Sequence, residues 1–333
     1  MSMPGPLVDA FGRPHSDLRV SVTDRCNIRC VYCMPAEGVE FKPHSAILTF
    51  EEIERFVRVI AGLGVRKLRL TGGEPLVRRG VCRLVKMLSA VPGIAEVAMT
   101  TNGVLLAQYA SELRSAGLTR LNVSLDTVDR ERFREISRRD DLAKVLEGIA
   151  AAQRAGFTQI KLNAVAIRGQ SEDDVVPLAR FARQNGFELR FIEFMPLDGE
   201  NRWERCRVLP GEEILRLLAA GIGPLEPVVE ADSRAPATEY RFSDGLGRVG
   251  VIASVSEPFC DRCGRLRLTA EGMLRNCLFS TEDWDVKTIL RSGGNDEALA
   301  SLIGRAVRSK KRQRGTDQGQ FAETRQAMHE IGG

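Results

Sequence analysis

The stretch Cys26-Asn27-Ile28-Arg29-Cys30-Val31-Tyr32-Cys33 contains three cysteines with the spacing Cys-x3-Cys-x2-Cys. A closed structural zinc site needs four ligands, and this stretch offers three. Three thiolates can hold a 4Fe–4S cubane whose fourth iron stays open to a small molecule. Residues 18–23, just upstream, alternate like a strand, so the cysteines are expected on a loop that leaves a strand. The alternative is a buried helical stripe, because positions i, i+4 and i+7 share a helix face.

The composition indicates a globular chain, with 43% apolar and 28% charged residues among 333. No segment is long enough to span a membrane, and the first residues lack the apolar core of a signal peptide. A net charge of +4 does not by itself indicate a nucleic-acid surface. Eight cysteines in such a chain point to metal or redox chemistry rather than disulfides. We therefore expect a cytoplasmic protein that binds neither membranes nor nucleic acid.

Strand-like runs alternate with amphipathic helices from Leu18 to Met195, at intervals of roughly 30 residues. The predicted strands are Leu18–Val22, Lys67–Leu70, Glu96–Thr100, Arg120–Leu125, Gln159–Ala166 and Glu188–Phe194. Such βα units form parallel sheets, and six of them fall short of the eight that close a full barrel. The pattern predicts an α/β fold, a partial (β/α)6 TIM-like barrel with an open side.

The regular alternation of strands and helices ends after Met195, and the sequence therefore predicts three parts of the chain. Residues 1–196 form the barrel with the first cysteine set, Cys26, Cys30 and Cys33. Residues 197–310 form a smaller α+β domain that covers the open side of the barrel. Residues 311–333 form a flexible tail that ends in Gly-Gly. The basic run at residues 308–314 is interpreted as a solvated helix end.

Polar residues follow the predicted strands at their carboxyl ends, where parallel barrels carry their chemistry. The runs are Thr71-Gly72-Gly73-Glu74-Pro75 and Thr100-Thr101-Asn102-Gly103, followed by Ser124, Asp126, Asn163 and Met195. Paired glycines let the backbone approach a ligand closely. Lys161 and Arg190 lie within strands that should be buried, so each needs an anion, either a carboxylate such as Glu193 or a ligand phosphate.

A second cysteine set consists of Cys260, Cys263 and Cys277, and it again lacks a fourth ligand. Cys206 could complete a zinc site, so zinc stays open beside a second iron–sulfur cluster. Arg265 and Arg267 alternate on one strand face beside this set, where two guanidiniums would clamp a phosphate or a carboxylate. Cys82 and Cys206 match no ligand spacing and are interpreted as packing residues.

With these motifs in place, the chain resembles the radical S-adenosylmethionine superfamily and, within it, the GTP 3′,8-cyclase family of molybdenum cofactor biosynthesis. The resemblance runs from end to end. It is carried by Phe11-Gly12-Arg13, by residues 18–27, 70–76, 122–126 and 191–196, by the Cys260–Cys277 segment, and by Gly332-Gly333.

The resemblance implies a role for each motif. Each cysteine set would hold one 4Fe–4S cluster. S-adenosylmethionine would contact Tyr32, Gly73, Ser124 and Met195. GTP would contact Arg19, Arg69, Thr100, Lys161, Arg190, Arg265 and Arg267. Catalysis would depend on Arg265, Arg267, Gly332 and Gly333, because the tail of the family reaches into the active site.

The implied reaction converts GTP to (8S)-3′,8-cyclo-7,8-dihydroguanosine 5′-triphosphate. The chain has no Gly-x4-Gly-Lys-Ser/Thr loop, so side-chain cations would have to hold the triphosphate. A small electron donor protein, the cyclic pyranopterin monophosphate synthase that takes the product, and a homodimer are the implied partners. The alternatives are another two-cluster radical enzyme that modifies peptides, and a non-catalytic zinc or iron–sulfur binding protein.

Overall fold

The computed structural model describes residues 7–200, 202–229, 235–313 and 327–332. Its centre is a parallel sheet of six strands in sequence order, each followed by a helical crossover. These strands are β1 Asp17–Ser21, β2 Lys67–Thr71, β3 Glu96–Thr101, β4 Arg120–Ser124, β5 Ile160–Ala166 and β6 Glu188–Glu193. They agree with the six predicted strands to within a residue at most ends. The partial barrel predicted from the periodicity is therefore confirmed.

Helices lie between these strands, as the alternation of strand-like runs with amphipathic segments predicts. They are α1 Phe50–Gly62, α2 Val81–Ser89, α3 Leu106–Ser115, α4 Arg130–Ser137, α5 Leu142–Arg154 and α6 Glu172–Asn185. Helix α1 begins with a capping box, in which Thr49 accepts from the Glu52 amide and Glu52 accepts from the Thr49 amide. Its apolar face, which includes Ile53, Phe56 and Ile60, is buried against the sheet.

The later residues extend the same sheet at both edges. The strands are β7 Leu225–Pro227, β8 Thr238–Phe242, β9 Arg248–Ile252, β10 Arg265–Leu268, β11 Met273–Arg275 and β12 Trp284–Asp285. Strand β9 pairs in parallel with β6, and β10 pairs in parallel with β1. The second part of the chain thus adds a parallel strand to each open edge of the barrel, and the boundary between residues 196 and 197 stays a prediction.

The described residues of this second part contain four more helices: α7 Gly211–Gly221, α8 Val286–Arg291, α9 Asp296–Arg308 and α10 Met328–Ile331. Helix α10 lies in the predicted tail, and its residues His329 and Ile331 are buried. Residues 314–326 and Gly333 lie outside the described residues, so the flexibility of the tail stays a prediction. In the described ranges, no helix combines the length and apolar character needed to cross a bilayer.

Candidate active site

The barrel encloses a cavity of about 380 Å³. All six cysteines of the two sets line it, although the sets are far apart in the sequence. The cavity is also lined by the carboxyl-end runs after β2 and β3, through Gly73 and Thr100. The structure therefore brings both cysteine sets and the predicted strand-end residues to one space.

The first cysteine set lies on a loop of turns after β1, so the helical alternative is wrong. Two backbone hydrogen bonds join this loop to the end of α4, from Arg29 N to Ser137 O and from Val31 N to Ile136 O, each 3.0 Å. Burial raises the pKa of Cys26 to about 11 and that of Cys33 to about 12. Without a metal these groups are neutral thiols, and a bound cluster would displace their protons.

The paired glycines pack against the backbone that leads into the cysteine loop. Gly73 N donates to Thr23 O at 2.8 Å, and a Cβ at Gly73 would fall 2.4 Å from Arg25 O. A side chain at this position would therefore collide with the backbone that leads into Cys26. The sequence predicts that these glycines allow a ligand to approach the backbone closely. In the structure, Gly73 allows the loop after β2 to pack closely against the cysteine loop, and it also lines the cavity.

Glu74 is fully buried and organises the space between these loops. Its Oε1 accepts from Thr101 Oγ1 at 2.8 Å and from Leu76 N at 3.0 Å, and its Oε2 accepts from Asn102 N at 2.6 Å. Asn102 in turn donates to Asn27 Oδ1 at 2.7 Å and lies 3.7 Å from Cys26 Sγ. Burial raises the pKa of Glu74 to about 7, against the hydrogen bonds that favour its carboxylate. Glu74 thus supports the ligand loop without lining the cavity.

Replacing Glu74 with glutamine should destabilise the metal-free protein by roughly 1–3 kcal/mol. Glutamine has one acceptor oxygen, so its amide group would face a buried N–H or hydroxyl donor that loses its partner. Urea unfolding of the metal-free protein measures the change. The exposed Glu37→Gln variant is the matched control and should lie within about 0.5 kcal/mol of wild type. Equal stability of the two variants would contradict this role of Glu74.

The second cysteine set combines a short turn, Cys260–Arg262, with Cys263 and Cys277. Burial alone would raise the pKa of Cys263, but the charges of Arg265 and Lys310 outweigh it, and the pKa falls to about 5. Arg265 Nη2 lies 3.5 Å from Cys263 Sγ, and its guanidinium stacks 4.8 Å from the centre of the Phe259 ring.

Both sets fit a 4Fe–4S cluster in the chemistry of their donors, because each presents three soft thiols to the same cavity. In the described part of the chain, no three Cys, His, Asp or Glu side chains are gathered to hold a single metal ion. Cys206 is exposed, 3.3 Å from Glu204 Oε2, and lies outside the cavity lining. Its interpretation as a packing residue was therefore wrong, whereas Cys82 is buried as expected.

Three arginines form a row across neighbouring strands of the cavity. Arg19 on β1 is in register with Arg267 on β10 and with Arg69 on β2, and all three line the cavity. No ion pair joins these three to a carboxylate within the described ranges, and the buried Arg69 Nη1 has no hydrogen-bond partner. Burial, followed by the charges of Arg265 and Arg275, lowers the pKa of Arg267 to about 9. Like charges held together in a buried cavity call for an anionic ligand.

Lys161 and Arg190 meet carboxylates other than the one expected. Lys161 Nζ lies 2.6 Å from Glu188 Oε2, and Arg190 contacts Glu188 at 2.5 Å and Glu239 at 3.1 Å. Glu193 instead accepts hydrogen bonds from backbone amides of residues 211, 255 and 256. The proposed Glu193 partner was wrong because β5 and β6 pair Lys161 with Glu188. Arg190 lines the cavity and Lys161 does not.

The four residues expected at S-adenosylmethionine, Tyr32, Gly73, Ser124 and Met195, all line the cavity. The Tyr32 hydroxyl donates to Asp126 Oδ2 at 2.7 Å, and Asp126 Oδ1 accepts from Val165 N at 2.8 Å. Burial raises the pKa of Asp126 to about 6. This chain of contacts fixes the Tyr32 ring at the cavity wall.

The last described residues enter the same cavity. Met328 and His329 line it, and Arg267 Nη1 donates to Gly332 O at 2.5 Å. A Cβ at Gly332 would fall 2.8 Å from both Ser21 Cβ and Thr71 Oγ1, and its φ is +86°. Position 332 therefore has no room for a side chain. The expected contribution of Gly333 lies outside the described residues.

Comparison with known proteins gives two family matches and full-length relatives. Residues 20–182 match the radical SAM superfamily, and residues 187–316 match Molybdenum Cofactor Synthesis C. A GTP 3′,8-cyclase from Rhodopirellula baltica is 50% identical, covering 100% of this chain and 94% of its own. One from Pelotomaculum thermopropionicum is 48% identical over 90% of this chain and 93% of its own. The chain belongs to the GTP 3′,8-cyclase family.

Solved structures agree with the fold of this cyclase family member. Streptococcus suis SuiB aligns with a TM-score of 0.60 at 16% identity, covering 89% of this chain and 69% of that chain. Methylornithine synthase aligns with a TM-score of 0.50 at 18% identity, covering 62% and 63%. At such identities the likeness concerns the fold alone. The predicted family is confirmed, as are its cofactors, S-adenosylmethionine and two 4Fe–4S clusters.

Two residues of this cyclase family member, one lining the cavity and one beside the second cysteine set, were not predicted from the sequence. Lys310 was placed in a solvated basic run, yet it is 3% exposed and contacts Cys263. His329 lines the cavity, although no ligand spacing singled it out. Neither residue carries a local signal, because their neighbours in space are distant in the sequence.

Proposed function

We propose that this chain catalyses the GTP 3′,8-cyclase reaction, which forms (8S)-3′,8-cyclo-7,8-dihydroguanosine 5′-triphosphate and opens molybdenum cofactor biosynthesis. The row formed by Arg267, Arg19 and Arg69 carries the proposal, because it lies in one cavity with two incomplete cysteine sets. Clustered guanidiniums that form no ion pair with a carboxylate in the described ranges suit a triphosphate. The full-length relatives carry the name of this activity.

Each cysteine set has a separate role in this proposal. Cys26, Cys30 and Cys33 hold the cluster at which S-adenosylmethionine binds, beside Tyr32, Gly73, Ser124 and Met195. When bound there, the cluster and S-adenosylmethionine would supply the radical chemistry that the cyclisation needs, and these residues would hold and orient them. Cys260, Cys263 and Cys277, which line the same cavity, would hold the second cluster, whose open iron would be available to the substrate base.

The cations of the cavity hold the substrate. Arg19, Arg69, Arg265 and Arg267 line the cavity and would neutralise the triphosphate, with the hydroxyl of Thr100 in the same lining. Arg190 also lines the cavity and would contact the nucleotide while it stays paired with Glu188 and Glu239. Lys161 acts from behind the lining, where it shares Glu188 with Arg190. A triphosphate held by several fixed guanidiniums has little freedom to move. The nucleotide is then held in one orientation, with its ribose positioned to react with its base.

The tail closes the cavity in this proposal. The bond from Arg267 to Gly332 O ties residues 328–332 to the wall that binds the nucleotide. A closed cavity keeps water and stray hydrogen donors away from a reactive carbon centre. Arg265, Arg267, Gly332 and Gly333 are thus the residues on which turnover depends.

Replacing Gly332 with alanine should lower turnover by roughly tenfold or more while iron content stays unchanged. The added Cβ would displace the tail from Ser21 and Thr71. Gly293→Ala is the matched control, because Gly293 also has a positive φ, +79°, but open space around it. Product formation under single-turnover conditions measures the effect. Equal turnover in the two variants would show that the tail is not required.

Anaerobic reconstitution tests the function itself. The purified chain should bind about eight irons, and GTP, S-adenosylmethionine and dithionite should yield 5′-deoxyadenosine with an isomer of GTP. Chromatography with mass detection identifies both products. A sample that cleaves S-adenosylmethionine but does not bind GTP would indicate a peptide-modifying enzyme instead. A colourless sample with bound zinc would indicate a non-catalytic protein.

The remaining expectations complete the proposal. Because the reaction consumes an electron at the first cluster, we propose a small electron donor protein as a partner. The product would pass to a cyclic pyranopterin monophosphate synthase. We further propose a cytoplasmic location and a homodimer, without nucleic-acid or membrane partners.

A further inference from the structure

Lys310 lies against the second cysteine set with its ammonium group buried. Only 3% of the residue is exposed. Its Nζ lies 2.9 Å from Cys263 O, 3.2 Å from Arg265 O and 3.7 Å from Cys263 Sγ. An ammonium has three N–H donors. Two of these acceptors belong to Cys263, which ends the Cys260–Arg262 turn, and the third belongs to Arg265, the first residue of β10. The side chain of Lys310 is therefore directed at the turn that carries Cys263.

The charge of Lys310 has no carboxylate at ion-pair distance within the described ranges. A buried ammonium without an anion is costly, so its natural counter-charge is the neighbouring cysteine sulfur in its anionic form. Three thiolates around a 4Fe–4S core supply such a charge permanently. The position of Lys310 is thus explained by a loaded cluster better than by the thiols alone.

Arg13 supports the other end of the same turn in a different way. Its Nη1 donates to Cys260 O at 2.8 Å, and its Nη2 donates to Lys311 O at 2.9 Å. The charge of Arg13 is already neutralised by Asp9 Oδ2, 2.5 Å from its Nε. Arg13 therefore contributes a scaffold, and Lys310 contributes a scaffold together with an uncompensated positive charge.

We propose that Lys310 is a positioning residue for the second cluster, which fixes the Cys263 turn and favours the reduced state of the cluster. Hydrogen bonds to ligand sulfurs and nearby charge set the reduction potential of iron–sulfur clusters. Reduction adds one negative charge to the cluster, and a buried cation stabilises that charge strongly because screening is weak. This inference rests on the proposed assignment of Cys260, Cys263 and Cys277 to a cluster.

A redox titration of the second cluster alone tests the inference. In the background Cys26→Ser, Cys30→Ser, Cys33→Ser, only the second set can hold iron. At the potential that half-reduces the parent cluster, Lys310→Met should lower the ratio of reduced to oxidised cluster at least tenfold. Lys310→Gln keeps a donor but not the charge, so its ratio should fall less. Electron paramagnetic resonance follows the reduced state, with dithionite as reductant.

The exposed neighbour Lys311 provides the matched control. Lys311→Met removes the same charge one residue away and should change the ratio less than twofold. In the reciprocal background Cys260→Ser, Cys263→Ser, Cys277→Ser, Lys310→Met should leave the first cluster unchanged.

Several outcomes would overturn the inference. The inference is contradicted if the Lys310→Met variant has the same ratio of reduced to oxidised cluster as the Lys311→Met variant. It is also contradicted if Lys310→Met changes this ratio equally for both clusters. If Lys310→Met fails to bind iron, Lys310→Gln decides, and a parent-like ratio in that variant overturns the inference. If the parent background itself binds no iron, the cluster assignment fails, which is distinct from a loaded cluster that ignores Lys310.

Discussion

Replacing Gly73 with alanine is expected to abolish loading of the first cluster while the second set still binds iron. The new Cβ would lie 2.4 Å from Arg25 O, 2.6 Å from Arg25 C and 2.9 Å from Asp24 O. All three are backbone atoms of the segment that leads into Cys26. The two loops are also tied by the bond from Glu74 N to Arg25 O, 2.8 Å long, so the cysteine loop cannot relax without losing it.

Iron content in the background Cys260→Ser, Cys263→Ser, Cys277→Ser measures this effect. Iron should fall from about four per chain to near zero in Gly73→Ala. Gly62→Ala is the matched control, because a Cβ at Gly62 meets nothing within 4 Å, and this variant should load fully. A Gly73→Ala protein with a complete first cluster would show that the cysteine loop is not held against residue 73.

Much of the barrel follows from local pattern, and the strand β2 shows why. Its predicted span, Lys67–Leu70, differs from the observed Lys67–Thr71 by one residue. Buried strands joined by amphipathic helices leave a strong periodic signal, and the order of parallel strands follows from the right-handed crossovers. The strand-like alternation of residues 18–23 then places the cysteines on a loop after β1 without any knowledge of the tertiary structure.

The pairing between distant segments is what the sequence does not show. Glu188 rather than Glu193 meets Lys161, because the register of β5 and β6 decides which carboxylate is adjacent. Strand β10 pairs with β1, but the sequence of its four residues does not indicate which strand it pairs with. Lys310 is buried against Cys263, 47 residues earlier, whose carbonyl oxygen accepts a hydrogen bond from its ammonium group. The basic run at residues 308–314 shows that Lys310 is charged, but it does not show whether the side chain is buried or which residues surround it.

Replacing Arg19 with methionine is expected to weaken GTP binding about 10–150-fold, the loss of one charge-assisted contact. The same change should raise the stability of the metal-free, ligand-free protein by on the order of 1 kcal/mol. Arg19 lies between Arg267 and Arg69, and its charge is opposed by both neighbours. Burial, followed by the charges of Arg267 and Arg265, lowers the pKa of Arg19. Methionine keeps much of the side-chain volume and removes that repulsion.

The opposite signs of these two effects separate ligand binding from a structural role. A structural arginine paired within the protein would lose stability when replaced, and GTP affinity would fall only through unfolding. Equilibrium binding of GTP and urea unfolding of the same samples measure both quantities. Arg154→Met, which removes an exposed arginine paired with Glu147, should leave both nearly unchanged. If Arg19→Met proves less stable than wild type, groups of the protein itself stabilise the charges of the arginine row, and the row does not require an anionic ligand.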